Sequence, residues 1–377
     1  MYTVRDFGDM IADRVRMAAY EAALRRSVKP GSVVIDIGAG TGIFTLLACR
    51  LGARKVYAID PNPAIDVARA VVKDNGFRDR VEFITKMSTD VELPEQADVI
   101  VADVRGVLPM LGMSIGTMID ARSRLLRPGG VLIPKRDDLQ VSVVEAPLLY
   151  QPIVRPWEEF HDGFDVTAAR HAATSEWNAD RENPILPEQL LTPAQTWASI
   201  DYATVAGPDV GGAVTLRAAR RGTAHGLVVW FDATLTDDDR FSVQPGTRCV
   251  YARVFFPWPS PVAVDVGASI QVDLRATLAG DGYVFSWTSR IGERGETEFR
   301  QTNFFSHVSM DELLMGAAHR PKKLAPRGLA TLRALERLSG GASLGEIAAE
   351  LHKEFPRQFP SQDAAMAAVR ALARKYA

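Results

Sequence analysis

The sequence has few of the features that mark several large classes of protein. It contains only two cysteines, Cys49 and Cys249, which are too few and too far apart for a disulfide framework. Its formal net charge of −2 gives no general electrostatic footprint for nucleic acid or for a membrane surface. No apolar run reaches the length that a membrane-spanning helix needs. We therefore expect a cytoplasmic protein with neither a membrane nor a nucleic acid as partner.

Two further absences concern metals and targeting. The six histidines do not have the spacing of metal ligands, and neither do the cysteines. The first residues of the chain are polar and charged and do not resemble a signal peptide. We expect neither a metal cofactor nor a targeting segment.

The most informative stretch runs from Val33 to Asp60. The β-branched run that ends at Ile37 predicts a buried strand of a parallel sheet. A glycine turn, an apolar helical run and a second buried strand follow, in the order of a unit that binds a nucleoside at the carboxyl edge of an open sheet. Asp60 lies about 20 residues beyond the glycines, where a carboxylate accepts hydrogen bonds from ribose hydroxyls.

Two features distinguish this stretch from a dinucleotide site. Gly38, Gly40 and Gly42 are not followed by the more distant glycine of the dinucleotide motif. Asp36 lies at the strand end, where its carboxylate would repel a pyrophosphate and attract an ammonium group. An adenosyl ligand with an ammonium and a sulfonium fits better. The stretch resembles the signature of class I S-adenosylmethionine (SAM) methyltransferases, and SAM is the cofactor that this resemblance implies.

The sequence around this stretch predicts a complete parallel α/β domain. The expected elements are helices at residues 9–24, 43–51, 62–75 and 114–126 and strands at 33–37, 56–60, 81–84, 97–103 and 131–133. Right-handed crossovers would connect the strands. Arg16 on the first helix either is solvated or faces the ligand and holds a carboxylate. The helical spacing leaves both interpretations open.

After Pro134 the pattern changes. From Leu139 to Ser306, apolar and polar residues alternate and are interrupted by glycine and proline, as in antiparallel strands. The prolines of residues 255–261 exclude a central strand there. Residues 157–191 interrupt the alternation with a polar helical segment. We expect a β-barrel or sandwich with a helical excursion, packed against the sheet domain.

The tail from Leu324 to Ala377 is helical again. Three short helices are predicted, and Ser343 with Glu346 forms a capping box at the second. Glutamates offset its basic residues, so it shows no phosphate-binding footprint. Its glycine-rich turn and the helix that follows resemble the small leader-recognition modules of peptide-modifying enzymes, which would deliver a peptide. A helical cap that closes the barrel or a dimer is the alternative.

A narrower resemblance covers residues 2 to about 305. Met10, Asp13, Arg16 and Tyr20 at their spacing, followed by the glycine turn and a β domain, resemble the protein arginine methyltransferase family. Residues 230–232 and 257–259 are similar to that family's strands, and residues 297–302 are similar to its substrate-side Thr-His-Trp loop. The tail lies outside this resemblance.

The resemblance, joined to the pattern of the tail, implies a three-part chain. Residues 1–135 would form a Rossmann-like SAM-binding methyltransferase domain, followed by a β-barrel domain at 136–320 with a helical dimerisation arm at about 160–190. Residues 324–377 would form a small helical or winged-helix-type domain. A homodimer is implied by the arm. The cofactor-binding residues that the resemblance implies are Met10, Arg16, Asp36, Gly38, Gly40, Gly42, Asp60, Met87 and Ser88.

The acceptor side departs from the family pattern. The family's two guanidinium-binding glutamates fall on Asp103, one methylene shorter, and on Gly112, which has no side chain; the histidine of Thr-His-Trp becomes Glu298. Arginine stays protonated, so one missing carboxylate leaves a buried cation poorly compensated, at a cost of several kcal/mol. We therefore expect a non-arginine N or O nucleophile in a peptide, protein or small molecule, with Asp103 or Glu298 as general base.

Other interpretations stay open. In one, the chain is an arginine methyltransferase in which Asp103 and Glu298 together replace the glutamate pair. In another, it is a non-catalytic SAM-binding scaffold whose tail recruits a partner. Asp103 capping its loop and Glu298 solvated on a strand are the purely structural interpretations. Arg105 beside the pocket would indicate an anionic acceptor, but a solvated surface arginine is the simpler interpretation.

Overall fold

The computed structural model describes residues 2–159, 163–179, 183–280, 282–304 and 323–376. The chain forms two compact units, Met1–His307 and Val308–Ala377. The predicted end of the barrel domain at residue 320, and the parts of the predicted arm at 160–162 and 180–182, lie outside the described residues. The division into three domains with the boundaries given above stays a prediction.

The larger unit begins with an open parallel sheet. Its strands are β1 (Val33–Ile37), β2 (Lys55–Ile59), β3 (Val81–Ile84), β4 (Ala97–Ala102) and β5 (Leu126–Ile133), and its helices are α3 (Ile43–Arg50), α4 (Ile65–Asp74) and α5 (Ser114–Arg124). The strand order is β3-β2-β1-β4-β5. The order reverses between β1 and β4, and at such a point the carboxyl ends of the strands leave a crevice for a ligand. The predicted Rossmann-like architecture is confirmed.

The N-terminal segment forms two helices, so the prediction of a single helix over residues 9–24 is wrong. α1 spans Val4–Ala12 and α2 spans Arg14–Ser27. Asp13 between them has an extended backbone, and its Oδ1 accepts a hydrogen bond from the Arg16 amide at 3.0 Å, which caps α2. The break places Arg16 on the buried side of α2, where only 4% of its surface is exposed. The interpretation of Arg16 as solvated is wrong.

The second half of the larger unit consists of two antiparallel sheets. The first sheet has the order β10-β9-β6-β7 with β11 on β9, and the second has the order β14-β13-β12-β8. The strands are β6 (Arg136–Val144), β7 (Gln195–Asp201), β8 (Val210–Arg217), β9 (Gly222–Thr234), β10 (Arg240–Ser242), β11 (Val254–Val264), β12 (Ser269–Ala279), β13 (Gly282–Ile291) and β14 (Thr297–Thr302). The buried indole of Trp258 donates to Ser289 Oγ at 3.0 Å and joins the two sheets. The barrel-like β domain is confirmed.

The proline-rich segment and the helical excursion lie together. Residues 255–261 fall in β11, which among the described strands pairs with β9 alone and changes register between Pro257 and Val262. The prediction that this segment is no central strand is therefore confirmed. The excursion starts earlier than predicted, with α6 (Pro147–Glu158), and continues with α7 (Thr167–Thr174). Arg170 on α7 donates to the Pro259 carbonyl at 2.6 Å and ties the excursion to β11.

The smaller unit contains three helices over residues 323–376. They are α8 (Pro326–Ser339), α9 (Leu344–Glu354) and α10 (Gln362–Tyr376), packed around a core of small and aliphatic side chains. The predicted capping box between Ser343 and Glu346 is confirmed. Arg333 and Arg337 each form ion pairs with glutamates of the same unit. The charges of these two arginines are therefore balanced from within the unit.

The described ranges contain neither a candidate membrane-spanning helix nor a candidate metal site. None of the helices in those ranges is both long enough and apolar enough to cross a membrane. In the same ranges, no three or more His, Cys, Asp and Glu side chains come together in a way that would hold a metal ion.

Candidate active site

A cavity of about 320 Å³, here called the donor cavity, opens at the carboxyl edge of the parallel sheet. This volume lies within the range of small-molecule sites. The ends of β1, β2 and β4, helix α1 and the loop after β3 form its walls. Of the cofactor-binding residues predicted from the sequence, the following line it: Met10, Arg16, Gly38, Asp60, Met87 and Ser88.

Gly40 and Gly42 give the turn after β1 its shape rather than lining the cavity. Gly42, with a φ of 85°, is the N-cap of α3 in a left-handed conformation that glycine adopts without strain. At Gly40, an added Cβ would collide with the ring of Phe7. A side chain at this position would therefore force the Phe7 ring on α1 to move.

Asp60 holds this turn in place from the end of β2. Its Oδ2 accepts a hydrogen bond from the Gly40 amide and its Oδ1 accepts one from the Asn62 amide, both at 2.7 Å. A carboxylate has about four acceptor positions, so each oxygen keeps one for a ligand. Because Asp60 also lines the donor cavity, it can accept hydrogen bonds from two ribose hydroxyls there.

Asp36 lies directly behind the cavity wall, next to the lining residues Ile37 and Gly38. Its Oδ2 accepts a hydrogen bond from Thr45 Oγ1 at 2.6 Å, whereas its Oδ1 has no hydrogen-bond partner among the described residues. Burial raises the pKa of this carboxyl group to about 7. A buried acceptor without a partner is costly, and an ammonium group is the partner that it lacks. The residues present therefore fit SAM, which carries one.

A chain of four buried charged side chains, here called the ion chain, begins in the wall of the donor cavity. Arg16 Nε donates to Asp103 Oδ2 at 2.5 Å, and Arg105 Nη1 donates to Asp103 Oδ1 at 3.0 Å. Arg105 also donates to both oxygens of Asp137, at 2.9 and 2.8 Å. All four side chains are at most 5% exposed. Two carboxylates thus balance two guanidinium groups.

Three buried tyrosines complete the ion chain. The Tyr251 hydroxyl lies 2.6 Å from both oxygens of Asp103 and donates to that carboxylate. The Tyr202 hydroxyl donates to Asp137 at 2.6 Å, and the Tyr20 hydroxyl accepts from Arg105 at 2.7 Å. Burial raises the pKa of each phenol above its usual value. All three therefore remain protonated near neutral pH.

Asp103 stays ionised although it is buried. Burial alone would raise its pKa, but the charges of Arg16 and Arg105 outweigh this effect and hold the pKa below its usual value. Its two oxygens together accept from Arg16, Arg105 and Tyr251. These three donors occupy about three of the four acceptor positions of the carboxylate, so about one position remains for a ligand.

A second cavity, here called the acceptor cavity, adjoins the donor cavity. It has a volume of about 40 Å³. The two cavities share part of their lining, namely Tyr2, Met10, Asp103, Arg105 and Gly106. Val107, Val250 and Tyr251 complete the acceptor cavity. Asp103 is the one carboxylate that lines it among the described residues.

The second residue predicted for catalysis, Glu298, lies elsewhere. It is on β14, pairs with Arg290 at 3.0 Å and with Arg300, and lines neither the donor nor the acceptor cavity. β14 is the edge strand of the second antiparallel sheet. The structure thus does not bring Glu298 to Asp103, and Tyr251 occupies the place next to Asp103 instead.

The interpretation of Arg105 as a solvated surface arginine is wrong. The loop after β4 turns inward and places its guanidinium between Asp103 and Asp137, with 5% of the residue exposed. Asp137 is not among the site residues predicted from the sequence, although the alternation of residues along its strand indicates that it is buried. It occupies the same face of β6 as the buried Leu139 and Val141, so the alternation already predicts a buried carboxylate that needs a cation.

Replacing Asp60 with Ala tests the ribose assignment. We expect SAM affinity to fall strongly, because each charge-assisted hydrogen bond to a ribose hydroxyl contributes ~1.5–3 kcal/mol. Isothermal calorimetry with SAM measures the effect. Asp66→Ala is the matched control, since the Asp66 side chain is 78% exposed and pairs only with Arg69 among the ion pairs described. Unchanged affinity in Asp60→Ala would show that the ribose binds elsewhere.

Asp36 Oδ1, which has no hydrogen-bond partner among the described residues, leads us to expect that donor binding depends on pH. Below the Asp36 pKa of about 7 the group is protonated, and it must release its proton to pair with the donor ammonium. SAM affinity should therefore rise with pH up to neutrality and level off above it, with a limiting slope of about tenfold per pH unit. The Asp36→Asn variant should bind more weakly and without this slope. An equal slope in both proteins would contradict the assignment.

The chain is similar to known methyltransferases. Residues 18–134 match the family model "Ribosomal protein L11 methyltransferase (PrmA)". The chain is 32% identical to probable protein arginine N-methyltransferase 6 of Arabidopsis thaliana over 59% of this chain and 53% of that protein, so the match spans about half of that relative. It is also 32% identical to protein arginine N-methyltransferase 6 of Danio rerio, over 62% of this chain and 69% of that protein.

Two solved structures have a similar fold. The Trypanosoma brucei PRMT1 enzyme-prozyme heterotetrameric complex with AdoHcy gives a TM-score of 0.71 at 23% identity, over 78% of this chain and 96% of that chain. Arabidopsis thaliana protein arginine methyltransferase 10 gives a TM-score of 0.69 at 23% identity, over 80% and 97% of the two chains. With its extensive match to the Danio rerio relative, this chain belongs to the protein arginine N-methyltransferase family and is a SAM-dependent methyltransferase.

Proposed function

We propose that this enzyme methylates a side chain of a peptide or protein, and that an arginine nitrogen is the acceptor. The names of its relatives state protein arginine as their substrate, and this kinship supports the choice. The observation that carries the proposal is the junction of the two cavities at Asp103. An ionised carboxylate lies in the wall that the donor cavity and the acceptor cavity share, the position that a cationic nucleophile needs.

The residues of the donor cavity would orient the methyl donor. Bound SAM supplies a methyl group that its sulfonium activates toward attack by a nucleophile. Arg16 would pair with the donor carboxylate, Asp36 with its ammonium and Asp60 with its ribose. Phe7 on α1 covers the turn at Gly40 and helps to keep water out. Alignment of a bound nucleophile with the methyl carbon can alone contribute ~7–11 kcal/mol.

The acceptor side supplies a negative charge and a route for a proton. As the new bond to the methyl carbon forms and the bond from sulfur to that carbon breaks, an attacking nitrogen loses a proton. Among the described residues, Asp103 is the carboxylate that lines the acceptor cavity, and it would hold the charge of the acceptor and receive the proton. Its lowered pKa makes it a weak base. Localising the charge of the acceptor is therefore its larger contribution.

A larger groove supports a peptide or protein as substrate. It has a volume of about 640 Å³ and shares Val250 and Tyr251 with the acceptor cavity. Asp13, Arg14 and Arg248 are among its lining residues. An extended chain in this groove would bring one of its side chains to Tyr251. The mixed charge of the groove suits a polar peptide segment better than a compact metabolite.

A second candidate function is methylation of a nucleophile other than arginine. The specific observation in its favour is that Asp103 is already neutralised by Arg16 and Arg105. Gly112 supplies no second carboxylate, and Glu298 lies outside both cavities. A neutral amine, hydroxyl or carboxylate does not need a paired-carboxylate site.

Mass spectrometry of peptides separates the two functions. Peptides that contain arginine, lysine, serine or aspartate are incubated with the enzyme and SAM, with Asp60→Ala as the donor-deficient control. Methylarginine that depends on the intact enzyme supports the first function. Methylation of the other residues without methylarginine supports the second. Donor binding without any methylated product across the panel would contradict both and favour a non-catalytic SAM-binding scaffold.

We also propose that the chain forms a homodimer through the helical excursion. Leu148 and Phe164 lie there and are 71% and 73% exposed, so both apolar side chains are available for an interface. The helix Thr167–Thr174 of the excursion falls within the predicted dimerisation arm at about 160–190, and this overlap supports the proposal. A dimer would cover these side chains.

Light scattering after size exclusion tests the dimer. The double variant Leu148→Asp/Phe164→Asp should elute as a monomer, because two carboxylates would be buried without partners in the interface. Val266→Asp is the matched control, since Val266 is equally exposed, at 69%, but lies outside the excursion. A wild-type monomer, or a double variant that still dimerises, would contradict the proposal.

A further inference from the structure

We infer that Arg105 determines acceptor specificity because its own guanidinium group lies beside Asp103. By pairing with Asp103, it lowers the preference of the acceptor cavity for a cationic acceptor relative to a neutral one of the same shape. The inference deepens the proposed function and rests on it in one respect, namely that the acceptor enters the cavity at Asp103.

Arg105 is fixed in its position. Its guanidinium binds both oxygens of Asp137 and the hydroxyl of Tyr20. The rings of Phe231 and Phe241 lie 5.3 and 5.9 Å from its central carbon. With its side chain 2% exposed, it is held from several directions. It therefore does not swing away easily when an acceptor arrives.

Arg105 also lies where the methyl acceptor is proposed to bind. The residue lines both the donor cavity and the acceptor cavity, and it shares an oxygen of Asp103 with Tyr251. A purely structural arginine would be satisfied by Asp137, to which it is bidentate. The additional bond to Asp103 links Arg105 to the carboxylate that faces the acceptor.

The position of each charge gives the direction of the effect. Arg105 lines the acceptor cavity and Asp137 does not, so an entering guanidinium meets the cation of this pair at closer range than its anion. The net charge of the ion chain is zero before any ligand binds, since it contains two arginines and two aspartates. An incoming guanidinium adds a positive charge that no free carboxylate of the acceptor cavity compensates, next to the positive sulfonium of the donor. A buried charge without a partner is strongly disfavoured, whereas a neutral group of equal shape avoids this cost.

A charge-neutral pair of substitutions removes the effect of Arg105 without leaving an unpaired buried charge. Arg105→Met/Asp137→Asn deletes one cation and one anion and leaves Asp103 with Arg16 and Tyr251. Asp137→Asn alone is the matched control, because Arg105 still neutralises Asp103 in that variant. Thermal unfolding and binding of S-adenosylhomocysteine verify that each variant folds and keeps its donor site.

The readout is a ratio of two affinities measured in the presence of S-adenosylhomocysteine. Two peptides of identical sequence carry either arginine or citrulline, its neutral isostere, at one position. Wild type and Asp137→Asn should bind the citrulline peptide at least as tightly as the arginine peptide. In Arg105→Met/Asp137→Asn the ratio should shift toward arginine by roughly tenfold or more, the value of one charge-assisted hydrogen bond.

The results that would contradict the inference alone differ from those that would also contradict the proposed function. An unchanged ratio in the double variant, or an equal shift in Asp137→Asn, overturns the inference while peptide binding leaves the proposed function intact. A wild-type preference for arginine of tenfold or more also overturns it. If no variant binds either peptide and neither peptide is methylated, the acceptor cavity is misassigned. The proposed function then fails together with the inference.

Discussion

The ion pair between Arg16 and Asp103 joins the donor side of the site to the acceptor side. It depends on Asp13, which ends α1 and caps α2 through one oxygen, placing Arg16 in the cavity wall. The other oxygen of Asp13 accepts from the Val250 amide at 2.8 Å, which places Tyr251 beside Asp103. One aspartate between two helices thus positions groups from the parallel sheet domain and from the β domain around a single carboxylate.

The ion chain also distinguishes this enzyme from the pattern that its sequence resembles. In that pattern the acceptor guanidinium would meet two glutamates, whereas here an internal guanidinium, Arg105, lies between two aspartates. The charges therefore balance within the protein before an acceptor arrives. Kinship supports arginine as the acceptor, and the balanced charges favour a neutral one. Arg105 is the residue that decides between these two acceptors.

The donor site could be predicted from the sequence because its parts are close together in the chain. Strand, turn, helix and acid follow one another between Val33 and Asp60, and local patterns encode each of them. The acceptor side could not be predicted in this way. Asp103 meets Tyr251 across 148 residues, and such contacts depend on how β strands pair. The similarity of residues 297–299 to a family loop does not reveal how the strands of the β domain pair. Glu298 was therefore expected beside Asp103, where the structure has Tyr251.

The most direct test of this account is a crystal structure with S-adenosylhomocysteine bound. The account predicts that the ribose lies on Asp60, that the carboxylate of the ligand reaches Arg16, and that Arg105 keeps its bonds to Asp103 and Asp137. A ligand bound outside the donor cavity would contradict the donor assignment. An Arg105 side chain turned away from Asp103 in that complex would contradict the central claim, because the carboxylate would then be free to receive a cationic acceptor.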